Sequence, residues 1–185
     1  LEPGYLLFRA LRYFWYRDTE GRSLLALLCA CATDSLLRNH GTFILGLSQG
    51  TTITSQDSEA FIEQNNPGRF SPATLRSTAQ NINSSFTQSG HLSGRSIKKR
   101  TKVYSSPGST AYALLLGYLT GARGESLFST DYAKLLDSTP EEMSQMAVEA
   151  SGRGWMVFKR IGNVVEVAFP NLLTEQEMEW VHGQA

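Results

Sequence analysis

Residues 72–89 carry a dense set of hydrogen-bonding side chains: Thr74, Arg76, Ser77, Thr78, Gln80, Asn81, Ser84, Ser85 and Gln88, with no carboxylate among them. Asn and Gln can bond an adenine edge through two hydrogen bonds, and Arg can do so with guanine. Hydroxyls suit phosphate or either base. Ser71 followed by Pro72 reads as the cap of the helix that would carry this set. Its first-turn N–H groups, at Ser71 to Thr74, form the positive end of the helix dipole, where a phosphate can be taken. Arg69 stands just before the helix, and Arg95, Lys98, Lys99, Arg100 and Lys102 follow it. Cations in such a cluster neutralise phosphates and make binding steeply salt-dependent.

The charge distribution gives this cluster its setting. The chain has 17 Lys and Arg against 17 Asp and Glu, a net charge of zero. Yet between Gln64 and Gly124 there is no acid, so that stretch carries +8, while residues 1–63 carry −2 and residues 125–185 carry −6. A cationic middle between two anionic flanks points to a polyanionic partner for the middle.

Other chemistries are less well served. Gly46-Leu47-Ser48-Gln49-Gly50 has the form of a hydrolase nucleophile elbow, and Ser48, Asp131 and His182 fall in hydrolase order. That motif needs a strand before the serine and a helix after it, in a parallel sheet, whereas the pattern here is helical on both sides. Cys29 and Cys31, two apart on a helix, point away from each other and cannot share a metal. His40, His91 and His182 lack ligand spacing, and His91 reads as structural. Asn83-Ser84-Ser85 matches a glycosylation acceptor but falls inside a helix. No glycine-rich phosphate loop is present, and no cofactor or metal is expected.

The elements that must position the basic cluster follow from pattern and punctuation. At 185 residues, with 41% hydrophobic and 18% charged residues, the chain can bury a real core and is neither disordered nor a coiled coil. Residues 3–17 read as an amphipathic helix with Leu7, Leu11, Phe14 and Trp15 near one face. A second helix is expected from Leu24, capped by Ser23, to Asn39, ended by Gly41. Thr51 to Ser55 is turn-like, and a helix follows to Gln64. Asn65-Asn66-Pro67-Gly68 is a turn by composition. Leu75, Ala79, Ile82 and Phe86 mark the buried stripe of the next helix, and Gly90 stops it. A basic hairpin with Gly94 at its turn runs to Tyr104, and Pro107-Gly108 closes the unit. This order is that of a winged helix-turn-helix, whose second helix fits the major groove.

The remainder repeats the same grammar. An apolar helix from Ala111 to Leu119 and a helix from Thr130 to Leu136 precede Thr139-Pro140-Glu141-Glu142, a capping box with Pro in the first turn. Met143, Met146, Ala147 and Ala150 form the next stripe, and Trp155 to Phe169 alternates as a hairpin about Gly162-Asn163. Pro72 corresponds to Pro140, Ala79 to Ala147, and Gly90-His91-Leu92 to Gly154-Trp155-Met156. Glu141, Glu142, Glu149 and Glu166 make this copy repulsive to phosphate, so protein contact or packing suits it better, with Lys159 and Arg160 leaving room for one phosphate contact. The expected fold class is mainly α with small β-hairpin wings: an N-terminal helical unit (1–50), a basic winged helix-turn-helix (51–108) and a second, acidic winged-helix-like unit (109–185).

With Ser-Pro-x-Thr-Leu-Arg leading to Ser-Gly-His-Leu (Ser71 to Leu92) behind an N-terminal helical unit, the chain resembles BrxA-like accessory proteins of bacterial BREX phage-defence systems. The resemblance is architectural and clearest from Leu24 to Leu92. It implies a small, non-enzymatic, DNA-binding protein acting beside larger defence enzymes, with Thr74, Arg76 and Gln80 on the reading helix. The resulting expectation is a non-catalytic protein that binds double-stranded DNA in phage defence or transcription regulation. The residues expected at the interface are Arg69, Ser71, Thr74, Arg76, Ser77, Gln80, Asn81, Ser84, Arg95, Lys98, Lys99, Arg100 and Lys102. Two alternatives stay open: a scaffold subunit whose basic middle docks on an acidic protein or on RNA, and a serine hydrolase built on Ser48. The longest apolar run, Leu24 to Ala32, is too short to cross a membrane. Two cysteines and no signal-peptide pattern lead us to expect a cytoplasmic location.

Overall fold

The computed structural model describes residues 3–162 and 164–183. It is mainly helical with two small antiparallel sheets, as the sequence led us to expect. Helix α6 (Pro107–Leu119) is the hub: every residue from Pro107 to Tyr118 is buried. A helix apolar on all sides has no face to give to water, so neighbours must surround it. Here α1 (Pro3–Arg17), α2 (Arg22–Thr33), α7 (Asp131–Lys134) and α8 (Pro140–Gly152) do so. Pro107 and Gly108 begin this helix rather than closing the preceding unit. Ser106 caps it in a reciprocal box with Ser109.

The junction of α1 and α6 is a buried polar knot. Asp18 accepts hydrogen bonds from the Gly108 N–H at 2.7 Å, the Ser106 hydroxyl at 2.6 Å and the Gly21 N–H at 3.1 Å. Its charge sits at the N-terminus of α6, where the helix dipole favours an anion. A Cβ at Gly21 or Gly108 would collide with this knot, which is why both positions are glycine. Helix α1 buries Leu6, Ala10 and Phe14, one residue earlier on the helix than Leu7 and Leu11, and Trp15 is half-buried.

The expected single helix from Leu24 to Asn39 is two helices. Asp34 adopts extended backbone and caps α3 (Ser35–Gly46), its carboxylate accepting from the Leu36 and Leu37 N–H groups. Gly41 lies buried inside α3, against Leu135 and Phe86, and Ser23 caps nothing; the residue before α2 is Gly21.

Thr52–Ile53 is a strand, β1, where a turn was expected. Thr54 then caps α4 (Ser55–Asn65) in a box with Asp57, and α5 (Pro72–Gln88) follows, capped by Ser71. Ala79, Ile82 and Phe86 of the α5 stripe are buried and Leu75 is half-buried. Inside the α4–α5 pair the Ser58 hydroxyl donates to Asn83 Oδ1 at 2.9 Å, so the glycosylation-like asparagine is a buried packing residue. Strands β2 (Leu92–Ser93) and β3 (Lys98–Arg100) complete a three-stranded antiparallel sheet in the order β1-β3-β2.

The last third contributes a 3-10 helix (Gly124–Ser129), α7, α8 and the antiparallel pair β4 (Val157–Ile161) and β5 (Val164–Ala168). Position 163 of the expected turn lies outside the described residues. Helix α9 (Glu175–His182), absent from the sequence reading, is capped by Thr174 in a box with Glu177. Helix α8 has 13 residues against 17 in α5, and its sheet has two strands rather than three. One continuous buried cluster, from Leu6 through Phe86 to Val181, joins all three thirds of the chain.

Candidate nucleic-acid interface

On α5 the side chains expected to face a ligand do face solvent. Thr74, Arg76, Ser77, Gln80, Asn81 and Ser84 are all exposed, because the stripe through Ala79, Ile82 and Phe86 holds the opposite flank in the core. Ser71 Oγ accepts from the Thr74 N–H at 3.3 Å and shares a 2.9 Å hydrogen bond with the Thr74 hydroxyl. Arg69 is exposed, its guanidinium 5.1 Å from the Phe70 ring centroid.

The β2–β3 tip lies beside this flank. Arg76 and Gln80 from α5, Ser96 and Ile97 from the tip, and Thr54, Ser55, Gln56 and Glu59 from the start of α4 line one open depression of about 500 Å3. Gly94 sets the tip. Its φ of +96° suits glycine, and a Cβ there would run into the Ile97 carbonyl. The Lys98 ammonium closes the turn by donating to the Gly94 carbonyl at 2.9 Å. Ile97 stands 63% exposed between Arg95 and Lys98, an apolar residue at the apex of a basic tip.

Strand geometry divides the basic run. Successive side chains on a strand point to opposite faces. Lys99 pairs in register with Thr52 and Ser93 on the exposed face, while Arg100 pairs with Leu92 and faces inward. Arg100 is therefore not a phosphate contact. Its side chain is 2% exposed and its Nη2 lies 2.8 Å from Asp137 Oδ1. Its remaining donors go to the carbonyls of Ile44, His91 and Thr101. Lys102 is exposed but already ion-paired. Its ammonium lies 3.0 Å from Glu142, in a groove shared with Asp137 and Thr139 and away from Arg76. The Thr139 N–H and Lys102 together hold the Glu142 carboxyl below its usual range. Arg123, the remaining cation of the middle stretch, donates to the carbonyls of Tyr118, Ala122 and Val181.

Five of the eight cations thus remain: Arg69, Arg76, Arg95, Lys98 and Lys99. Among the described residues none of the five is ion-paired with a carboxylate. In the last third, Lys159 pairs with Glu166 at 3.3 Å and Arg160 with Glu125 at 2.9 Å, so neither is left for phosphate.

Sequence reasoning missed Ile97, Ser96 and the Thr54–Gln56 segment. The signal for the last was Thr54-x-x-Asp57, a capping pattern that announces a helix start opposite the hairpin. His91 is wholly buried, with Nδ1 against the Ser89 hydroxyl and Nε2 against the Leu135 carbonyl, and burial lowers its pKa to about 4. Ser48 lies between α3 and β1, with a helix before it and a strand after it, the reverse of an elbow. The His182 side chain lies outside the described residues. Cys31 is buried in α2, its thiol pushed up to about 12 by desolvation, while Cys29 is half-buried. Among the described residues no helix is long and apolar enough to cross a membrane. Comparison of the chain with protein-family models, curated proteins and solved structures finds no match in any of the three.

Proposed function

We propose that the chain is a non-catalytic protein that binds duplex DNA through residues 52–100, used as a winged helix-turn-helix. The supporting order is α3, β1, α4, α5, β2, β3, with α5 as the reading helix and the β2–β3 tip as the wing. The observation that carries the reading is the shared depression: Arg76 and Gln80 of α5 and Ser96 and Ile97 of the hairpin tip open onto the same space. In this reading Arg76, Gln80 and Asn81 address base edges in the major groove. Arg69, Lys98 and Lys99 sit on phosphates, and Arg95 with Ile97 enters the neighbouring minor groove. Glu59 on the rim opposes phosphate and tempers affinity. The acidic last third serves as a protein-facing platform, in keeping with an accessory factor in phage defence or transcription regulation.

A gel shift on long duplex DNA at near-physiological salt, against an acidic protein as control, tests the proposal. Three phosphate contacts, from Arg69, Lys98 and Lys99, predict a log K versus log salt slope of about −3. Binding to the acidic protein with none to duplex would replace this reading with the scaffold alternative.

A further inference from the structure

The solvent face of α1 is unlike that of any ordinary surface helix. Tyr5, Phe8, Arg12 and Tyr16 recur at +3, +4 and +4, which puts them on one stripe opposite the buried Leu6, Ala10 and Phe14. Tyr5 is 67% exposed, Phe8 57% and Tyr16 70%. Single exposed aromatics are ordinary, but a continuous ridge of them with an arginine has the composition of a binding hot spot.

Beside the ridge, α1 and α2 enclose an apolar groove of about 650 Å3. Its floor is Ala26, Cys29, Ala30 and Thr33, the i, i+3, i+4, i+7 face of α2, and Phe8, Trp15 and Tyr16 wall it. Small side chains below and rings beside leave a channel shaped to accept another helix. Trp15 is held ready: Arg22 donates to the Trp15 carbonyl at 2.9 Å and its guanidinium lies 5.4 Å from the ring centroid. A pre-ordered ring loses little entropy when a partner arrives.

Charge selects the occupant. Residues 3–17 hold three arginines and no acid, and no carboxylate lines the grooves on either side of α1. The molecule already seats one acidic helix on this element, since Glu177 of α9 bonds Arg9 at 2.6 Å. Arg12, on the groove rim, has no carboxylate partner among the described residues. A second copy is a poorer fit, because two α1 helices brought face to face would oppose arginine to arginine with no acid between them.

We infer that the α1–α2 groove docks an acidic amphipathic helix of a partner protein, whose apolar stripe lies on the Ala26–Thr33 floor and whose carboxylate meets Arg12. The site shares no residue with the proposed DNA interface, so the two stand or fall separately.

The test uses the full chain and two fluorescein-labelled synthetic helical peptides of about 18 residues, both with leucines at i, i+3, i+4 and i+7. One carries glutamates on its flanks and the other lysines, and fluorescence anisotropy reads binding. The glutamate peptide should bind roughly tenfold more tightly than the lysine peptide, and Arg12→Glu should reverse that order. Ala30→Trp should block both peptides. Arg12 is exposed, and a reversal of preference cannot arise from unfolding. Failure of both peptides to bind, or equal binding unaffected by Arg12→Glu, overturns the proposal. So does a reversible dimer in sedimentation that Ala30→Trp abolishes, which would give the groove to a second copy.

Discussion

Arg100 and Asp137 form a 2.8 Å ion pair that ties the central strand of the three-stranded sheet to the segment before α8. Asp137 holds a left-handed φ of 53°, and its second oxygen accepts from the Val103 N–H at 3.3 Å. Asn tolerates that backbone nearly as well as Asp, so Asp137→Asn removes the charge without new strain. The arginine it leaves behind is buried and uncompensated, which typically costs about 3 kcal/mol. Urea denaturation should show that loss, while the salt slope of DNA binding in the folded variant stays unchanged. A slope that flattened would return Arg100 to the interface.

Lys99 is exposed and Lys98 half-buried, and neither meets a carboxylate among the described residues, so the pair should behave in the opposite way. Lys98→Ala with Lys99→Ala should weaken binding to all DNA sequences alike and flatten the salt slope by about 2. Lys102→Ala should leave the slope as it is, because Lys102 already answers Glu142 at 3.0 Å. A salt titration of both variants checks the assignment. An unchanged slope in the double variant would remove the hairpin from phosphate contact.

Specificity should reside on α5. Arg76→Ala should cost roughly 1–3 kcal/mol on the preferred sequence and relax selection at one position. Glu59→Gln, across the same depression, should tighten binding roughly threefold on every sequence by removing a carboxylate near phosphate. Competition binding with a randomised duplex pool separates these effects: the first changes the selected sequence and the second does not.

The helices that begin with an oxygen-bearing cap were legible before any coordinates. Ser71-Pro72 and Thr139-Pro140 both start helices where the capping pattern put them. The same rule, applied to Asp34, Ser106 and Thr174, would have found the α2–α3 break, the true start of α6, and α9. The fate of Lys98-Lys99-Arg100 was different in kind. A period of two says that adjacent cations must part, but which one turns inward depends on strand pairing with Thr52 and Leu92 and on a carboxylate far along the chain. The joint depression of α5, α4 and the hairpin tip likewise exists only once the sheet closes.

Two buried histidines should make the fold acid-sensitive. His40 is caged by Phe43, Phe61 and Phe86, and among the described residues neither of its ring nitrogens finds a hydrogen-bond partner. Desolvation lowers its pKa to about 4, as it does for His91. An unfolded histidine titrates near 6.5, so between about pH 6.5 and 4 the unfolded chain takes up protons that the folded chain refuses. Stability is full above that window and falls with decreasing pH, by on the order of 1.4 kcal/mol per pH unit for each histidine. His40→Leu should halve the part of the acid slope that these two histidines produce, since His91 remains. It should also raise stability at neutral pH by about 1–3 kcal/mol, because two unmet polar atoms leave the core. Urea midpoints measured from pH 7 to pH 4.5 on both proteins decide the matter. Parallel pH profiles would mean that His40 is not held neutral inside the aromatic cage.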